Sequence, residues 1–219
     1  MTPLPLQKIK DYLAQDWGIG NNLVREVISE LDKKGPIEDG IAFVHSGATA
    51  PLLGALKAKA YDINTVIIYE GPHPNYYENI ANPNLKRIIH VMGSNHGIKN
   101  SVQEGDSLVP FLNTAHFQNT LVPVTEFENI NIEITGAFHN DFTYIGSTWA
   151  ANPPLNDAER TRERINRRTN LFMRDLYEAA LRNQTEPGAL TDFFTSLERT
   201  GAAKKESGIW KIDPDFLRN

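Results

Sequence analysis

At 219 residues, 40% of them hydrophobic and 22% charged, the chain is long enough for one well-cored domain with a helical appendage. Its net charge of -5 argues against a nucleic-acid partner, because phosphate binding usually needs a basic surface. The lack of cysteine excludes a disulfide framework and thiolate chemistry, and no apolar run approaches the length needed to cross a bilayer.

The start, Met1 to Leu6, does not read as a signal peptide, since no charged leader precedes a long apolar stretch. A cytosolic address is favoured, with export as a piece of a larger chain the alternative. Leu6, Ile9, Tyr12 and Leu13 recur at helical spacing, and a turn at Gly18-Ile19-Gly20 breaks the pattern. Leu23, Val24, Val27, Ile28 and Leu31 predict a second helix, ended by Lys33-Lys34-Gly35-Pro36. Gly40 to Val44 is a short apolar run that predicts a buried strand, and Ala48 to Lys59 predicts a helix of small residues. Asn64 to Tyr69 and Leu85 to Met92 predict two more buried strands. Ile130 to Ile134 alternates and predicts a fourth, nearer an edge. This rhythm predicts an α/β fold, a mostly parallel sheet flanked by helices.

Past Gly146 the composition shifts, with a break at Asn152-Pro153-Pro154. Ile165, Thr169, Phe172, Leu176 and Ala179 mark a long amphipathic helix, and a second follows near Ala189 to Leu197. Arg160, Arg162, Arg164, Arg167 and Arg168 share its other face, which reads as solvated. The chain therefore divides into an α/β domain over residues 1–150 and a helical C-terminal extension over 151–219 packed on it.

The sharpest chemical feature is Phe43-Val44-His45-Ser46-Gly47-Ala48-Thr49. A serine between a buried strand and a helix has the context of a nucleophile elbow, where a tight turn lifts the hydroxyl beside N–H groups at the helix N-terminus. Ala48 suits the small position two after the serine, whereas Val44 is large for the position two before. The plainer role for Ser46 is to cap the helix. A serine nucleophile needs a base, and the base an orienting acid. His139, in Gly136-Ala137-Phe138-His139-Asn140-Asp141-Phe142 after the fourth strand, fits the base. Asp106, in Gly105-Asp106-Ser107-Leu108-Val109-Pro110, is the chosen acid, against a plain turn aspartate.

Together these motifs resemble the C-terminal half of the α/β-hydrolase fold, closest to its lipase- and esterase-like members, over about Leu23 to Tyr144. The Val-His-Ser-Gly-Ala elbow, the Val66-Ile67-Ile68-Tyr69-Glu70-Gly71-Pro72 strand, the Gly-Asp-x-x-Val-Pro string and the Phe-His-Asn-Asp-Phe segment carry the likeness. It implies hydrolysis of an ester or related acyl bond by Ser46, His139 and Asp106, with the Gly47 N–H in the oxyanion hole. It also implies strands and a second oxyanion donor before the nucleophile, where only two helices are read. Either the chain is a fragment or shortened variant, or an upstream polypeptide or second subunit completes the fold. Losing one oxyanion donor can cost about 10²–10³ in turnover.

The substrate-binding candidates are His45, beside the serine, and Tyr76 and Tyr77, in the loop after the second strand. The partner expected is a small acyl substrate, with no nucleic acid and no membrane span. No cofactor is expected, and His90, His96 and His116 match no zinc spacing. The competing reading is a non-catalytic binding or assembly domain that keeps part of a hydrolase scaffold. A phosphate-binding domain is weaker still, because Gly93-Ser94-Asn95-His96-Gly97 has no P-loop lysine.

Overall fold

The computed structural model describes residues 22–45, 48–70, 82–94, 128–137, 141 and 156–217. In chain order these form α1 (Asn22–Lys33), β1 (Gly40–His45), α2 (Thr49–Ala58), β2 (Ile63–Tyr69), β3 (Arg87–Gly93), β4 (Glu128–Ile134), α3 (Asp157–Thr185), α4 (Ala189–Arg199), β5 (Ala203–Glu206), β6 (Ile209–Ile212) and a single 3-10 turn, Pro214–Phe216. The first predicted helix, over Leu6 to Leu13, lies outside the described residues.

Six strands form one sheet in the order β1-β2-β3-β4-β6-β5. The pairs β1–β2, β2–β3, β3–β4 and β4–β6 are parallel, and only β5 runs antiparallel, at the edge. An α/β architecture with a mostly parallel sheet is therefore present. A strand inside such a sheet is covered on both faces and reads as an unbroken apolar run. All seven residues of β2 are buried accordingly.

Alternate residues supply two cores. Ile67, Tyr69, Ile89, Val91, Ile132 and Ile134 pack with Phe172, Met173, Leu176 and Phe194 of α3 and α4. Val44, Val66, Ile68 and Ile88 pack with Leu52, Leu53 and Leu56 of α2, and Val27 and Leu31 of α1 close that side. Gly54 lets the two helices approach, since a Cβ there would stand 2.8 Å from Val24 Cγ2.

Helix α3 buries Asn166, Thr169, Phe172, Met173, Leu176, Ala179 and Ala180, one stripe at helical spacing. Asn156 caps it by accepting from the Glu159 N–H at 2.9 Å, and Asp157 and Glu159 favour the positive end of its dipole.

Two expectations change. β4 is not near an edge, because β6 pairs with it on the side away from β3. Its alternation reflects a polar face instead. Asn131 is buried there, and Glu133 takes an ion pair from Lys211 of β6 at 2.7 Å. The residues after α4 are also not helical. They form a β5–β6 hairpin closed by Ser207 and Gly208, both at positive φ (50° and 85°), the geometry of a tight two-residue turn. Its inward residues Ala203 and Ile212 join the α3–α4 core.

Candidate functional site

Four consecutive parallel strands run β1, β2, β3, β4 across the sheet in chain order, so their C-terminal ends form one rim. Open α/β sheets bind ligands at this rim, where loops leave the strand ends. At the rim stand His45 of β1, Tyr69 and Glu70 after β2, Gly93 and Ser94 after β3, and Gly136 and Ala137 after β4.

Of the residues proposed from sequence, His45 is described. It ends β1, half-buried, with its ring centroid 5.7 Å from that of Tyr69. Ser46, Gly47, Tyr76, Tyr77, Asp106 and His139 lie outside the described residues. In sequence, Ser46 follows His45 directly, and His139 falls between Ala137 and Asp141. The cap position of α2 belongs to Ala48, whose own side chain makes no capping hydrogen bond. Helix N-termini expose orphan N–H groups when uncapped. Thr49, the first helical residue, is fully buried, and its hydroxyl finds no hydrogen-bond partner among the described residues.

The rim is tied together by hydrogen bonds between strand ends. The Ser94 N–H donates to Ile134 O at 2.9 Å, and the Gly136 N–H donates to Ser94 Oγ at 2.8 Å. Gly136 turns the chain at φ 74°, and a Cβ there would meet Ile165 Cδ1 of α3 at 3.0 Å. Glycine is needed on both counts.

Two carboxylates lie fully buried at this end, Glu70 and Asp141. Burying a charge is costly unless it is paired or hydrogen-bonded. Asp141 is held by three α3 residues spaced four apart, hence on one helical stripe. Arg162 forms an ion pair with its Oδ1. The Asn166 side-chain amide donates to the Asp141 carbonyl at 2.7 Å and to Oδ1 at 3.1 Å, and Asn170 donates to the same carbonyl at 2.8 Å. Asp141 is thereby pinned to the long helix.

Glu70 has a different environment. Its backbone takes the left-handed conformation, φ 50°, and its N–H donates to Val91 O at 2.9 Å. Its Oε1 accepts from the Gly93 N–H at 2.5 Å. Burial first, then the charges of Glu70 and Asp141, pushes the Tyr69 phenol well above its usual pKa, while Arg162 opposes the shift. Tyr69, Glu70, Asp141 and Arg162 thus form one electrostatic neighbourhood, and Tyr69 stays a neutral donor.

Sequence reading passed over this neighbourhood. It took the arginine face of α3 as solvated, but Arg162 pairs with buried Asp141, and Arg168 donates to Pro214 O at 2.8 Å. Arg160 and Arg167 pair with the acidic residues Asp157 and Glu163 on the same helix and stay exposed. The signal for the difference was Arg162-x-x-x-Asn166-x-x-x-Asn170, a polar stripe running alongside an apolar one. Among the described residues no cluster of three or more His, Asp or Glu could hold a metal ion, and no helix is long and apolar enough to cross a membrane. Comparison with protein-family models, curated proteins and solved structures yields no match to this chain.

Proposed function

We propose that the protein is an acyl hydrolase of the α/β-hydrolase type, acting on an ester or related acyl bond. Ser46 attacks the carbonyl carbon, and His139 takes its proton and returns it to the leaving group. N–H groups at the start of α2, Gly47 included, stabilise the oxyanion. The observation that carries this reading is the rim. Four parallel strands stand side by side in chain order, Ser46 directly follows the first, and the His139 segment leaves the fourth. Ser, then His, at the C-terminal ends of such strands is the order this chemistry uses. The Asp141 clamp supports it further, because a base needs a fixed neighbourhood and Asp141 stands two residues after His139 in the chain.

Asp106 is the carboxylate that orients His139 in this reading. His45 sits beside the nucleophile, where it can contact substrate, and Tyr76 and Tyr77 keep their assignment to an acyl-binding loop.

The test is reaction with a fluorophosphonate probe. An ordinary serine does not react at neutral pH, because it lacks a base and an oxyanion hole. Labelling is expected on Ser46 alone, lost in Ser46→Ala with folding intact. A folded chain that stays unlabelled would turn the reading to a non-catalytic binding domain. Labelling only after an upstream polypeptide is added would show that this chain supplies part of a shared active site.

A further inference from the structure

Helix α1 keeps its apolar face partly open. Leu23, Val24, Val27, Ile28 and Leu31 fall on one stripe at helical spacing, yet only Val24 is buried. Helix α3, by contrast, buries Phe172, Met173, Leu176, Ala179 and Ala180 from its own stripe. A helix of 12 residues is marginal by itself and owes its stability to packing. The close approach to α2, Val24 over Gly54, uses one edge of the stripe. The rest opens into a groove of about 350 Å³, lined by Leu23, Val27 and Leu31 of α1 and by Pro51 of α2.

The charges along this groove have an order. Glu26 lines it toward the start of α1, and Lys34 lines it at the far end. They stand eight residues apart, which is about 12 Å along a helix axis. Both are exposed, and neither makes an ion pair or a side-chain hydrogen bond among the described residues. Between them, Glu30 is answered by Lys33 of the same helix at 2.5 Å. The groove therefore offers an apolar floor with a negative charge at one end and a positive charge at the other. Its complement is an apolar helix face that carries the same charges in reverse order.

Helix α1 turned end for end is such a face. In a two-fold pair, residue i meets residue j and j meets i. One favourable contact, Glu26 to Lys34, is then made twice. A parallel pairing would set Glu26 against Glu26 and Lys34 against Lys34.

We infer that α1 is a self-pairing surface. Two copies of this chain associate across a two-fold axis near Glu30, their α1 helices antiparallel. Leu23, Val27 and Leu31 are covered by the facing helix, and Glu26 of each copy meets Lys34 of the partner subunit. One short helix on each side buries less than the roughly 1,600 Å² of a standard interface. The dimer is therefore weak, and it forms as concentration rises. This inference does not depend on the chemistry proposed above.

The test is sedimentation equilibrium on the full chain and on two surface variants. The parent mass should rise with concentration from 24.6 kDa toward twice that value. Glu26→Lys sets lysine against lysine at both contacts, and Lys34→Glu sets glutamate against glutamate. Each alone should weaken association about tenfold or more, because opposed like charges disfavour a pairing. A 1:1 mixture of the two variants restores opposite charges at both ends, so the mixture should dimerise as the parent does. The mixture also controls for folding, since a misfolded variant offers no partner helix. Added salt should loosen the parent dimer by screening its exposed charges. A parent that stays monomeric at every concentration overturns the inference. So do single variants that associate as the parent does, or a mixture that stays monomeric.

Discussion

The two faces of the sheet are built by different rules. Against α1 and α2 the core is aliphatic apart from Tyr61, and its charges sit at the rim, where Asp32 meets Lys59 at 2.5 Å in solvent. Against α3 and α4 the core is as apolar in its middle, but its upper end holds Asp141, Arg162 and Asn166. Apolar packing alone would have sufficed for stability, since replacing buried ion pairs by well-packed apolar residues is often neutral or stabilising. One face is thus built for cohesion. The other gives up some cohesion to hold polar groups in fixed positions at the C-terminal ends of the strands.

The contrast is tested most strongly by breaking one ion pair on each face. Arg162→Ala strands the Asp141 carboxylate without its cation, and removal of one member of a buried pair typically costs about 3–5 kcal/mol. Lys59→Ala breaks an exposed pair, worth about 0–1 kcal/mol. Urea unfolding of the two variants should separate them by several kcal/mol. Similar small losses would mean that water reaches Asp141, and the difference between the faces would disappear.

A smaller effect comes from the glycines. Gly136→Ala adds a methyl at positive φ and places it 3.0 Å from Ile165 Cδ1. Strain and crowding together should cost about 1–3 kcal/mol. Gly54→Ala meets a tighter contact, 2.8 Å to Val24 Cγ2, but α2 is a helix, where alanine gains up to about 1 kcal/mol over glycine. The net loss should be smaller at Gly54 despite the shorter distance. Thermal unfolding of the two variants orders them, and a larger loss at Gly54 would show that α1 cannot yield.

Sequence pattern is a good witness to the cohesive face and a poor one to the other. The apolar runs at Val66–Tyr69 and Ile88–Met92 show in one dimension, because burial on both faces leaves few polar residues in the run, His90 being the exception. Ser46 and His139 were chosen because strand ends can be read, and both lie outside the described residues. Glu70 does not stand out, since Tyr-Glu-Gly-Pro at a strand end reads as a turn, and neither burial nor φ is written in residue type. Arg162 was hidden among five arginines, and only its partner, far along the chain, distinguishes it from Arg160 or Arg167. The hairpin was missed because Ala-Lys-Lys-Glu is charged and short. Ser207-Gly208 before the alternating Ile209-Trp210-Lys211-Ile212 was the available sign.

The smallest effect is at high pH, and it sharpens what the cohesive face does with its one embedded phenol. Tyr61 packs in the α1–α2 core, and its hydroxyl donates to Asp32 Oδ1 at 2.8 Å, with Ile28 O a second acceptor at 3.2 Å. Burial, then the hydrogen bond to the Asp32 carboxylate, raises its pKa from 10.0 to about 12. The folded chain therefore holds the phenolic proton more tightly than the unfolded chain does. Stability from this group is complete below pH 10, where both states are protonated. Between pH 10 and about 12 the unfolded state ionises first, so stability falls with rising pH, and above that window the contribution is gone. Tyr61→Phe removes the hydrogen bond, at about 1 kcal/mol near neutrality, and with it this part of the alkaline decline. Lysines also titrate in this range, so the informative quantity is the difference between the two proteins. Unfolding free energies measured from pH 8 to 12 should converge as pH rises. Parallel curves would mean that the phenol ionises equally in both states, and that water reaches Tyr61 in a core taken to be dry.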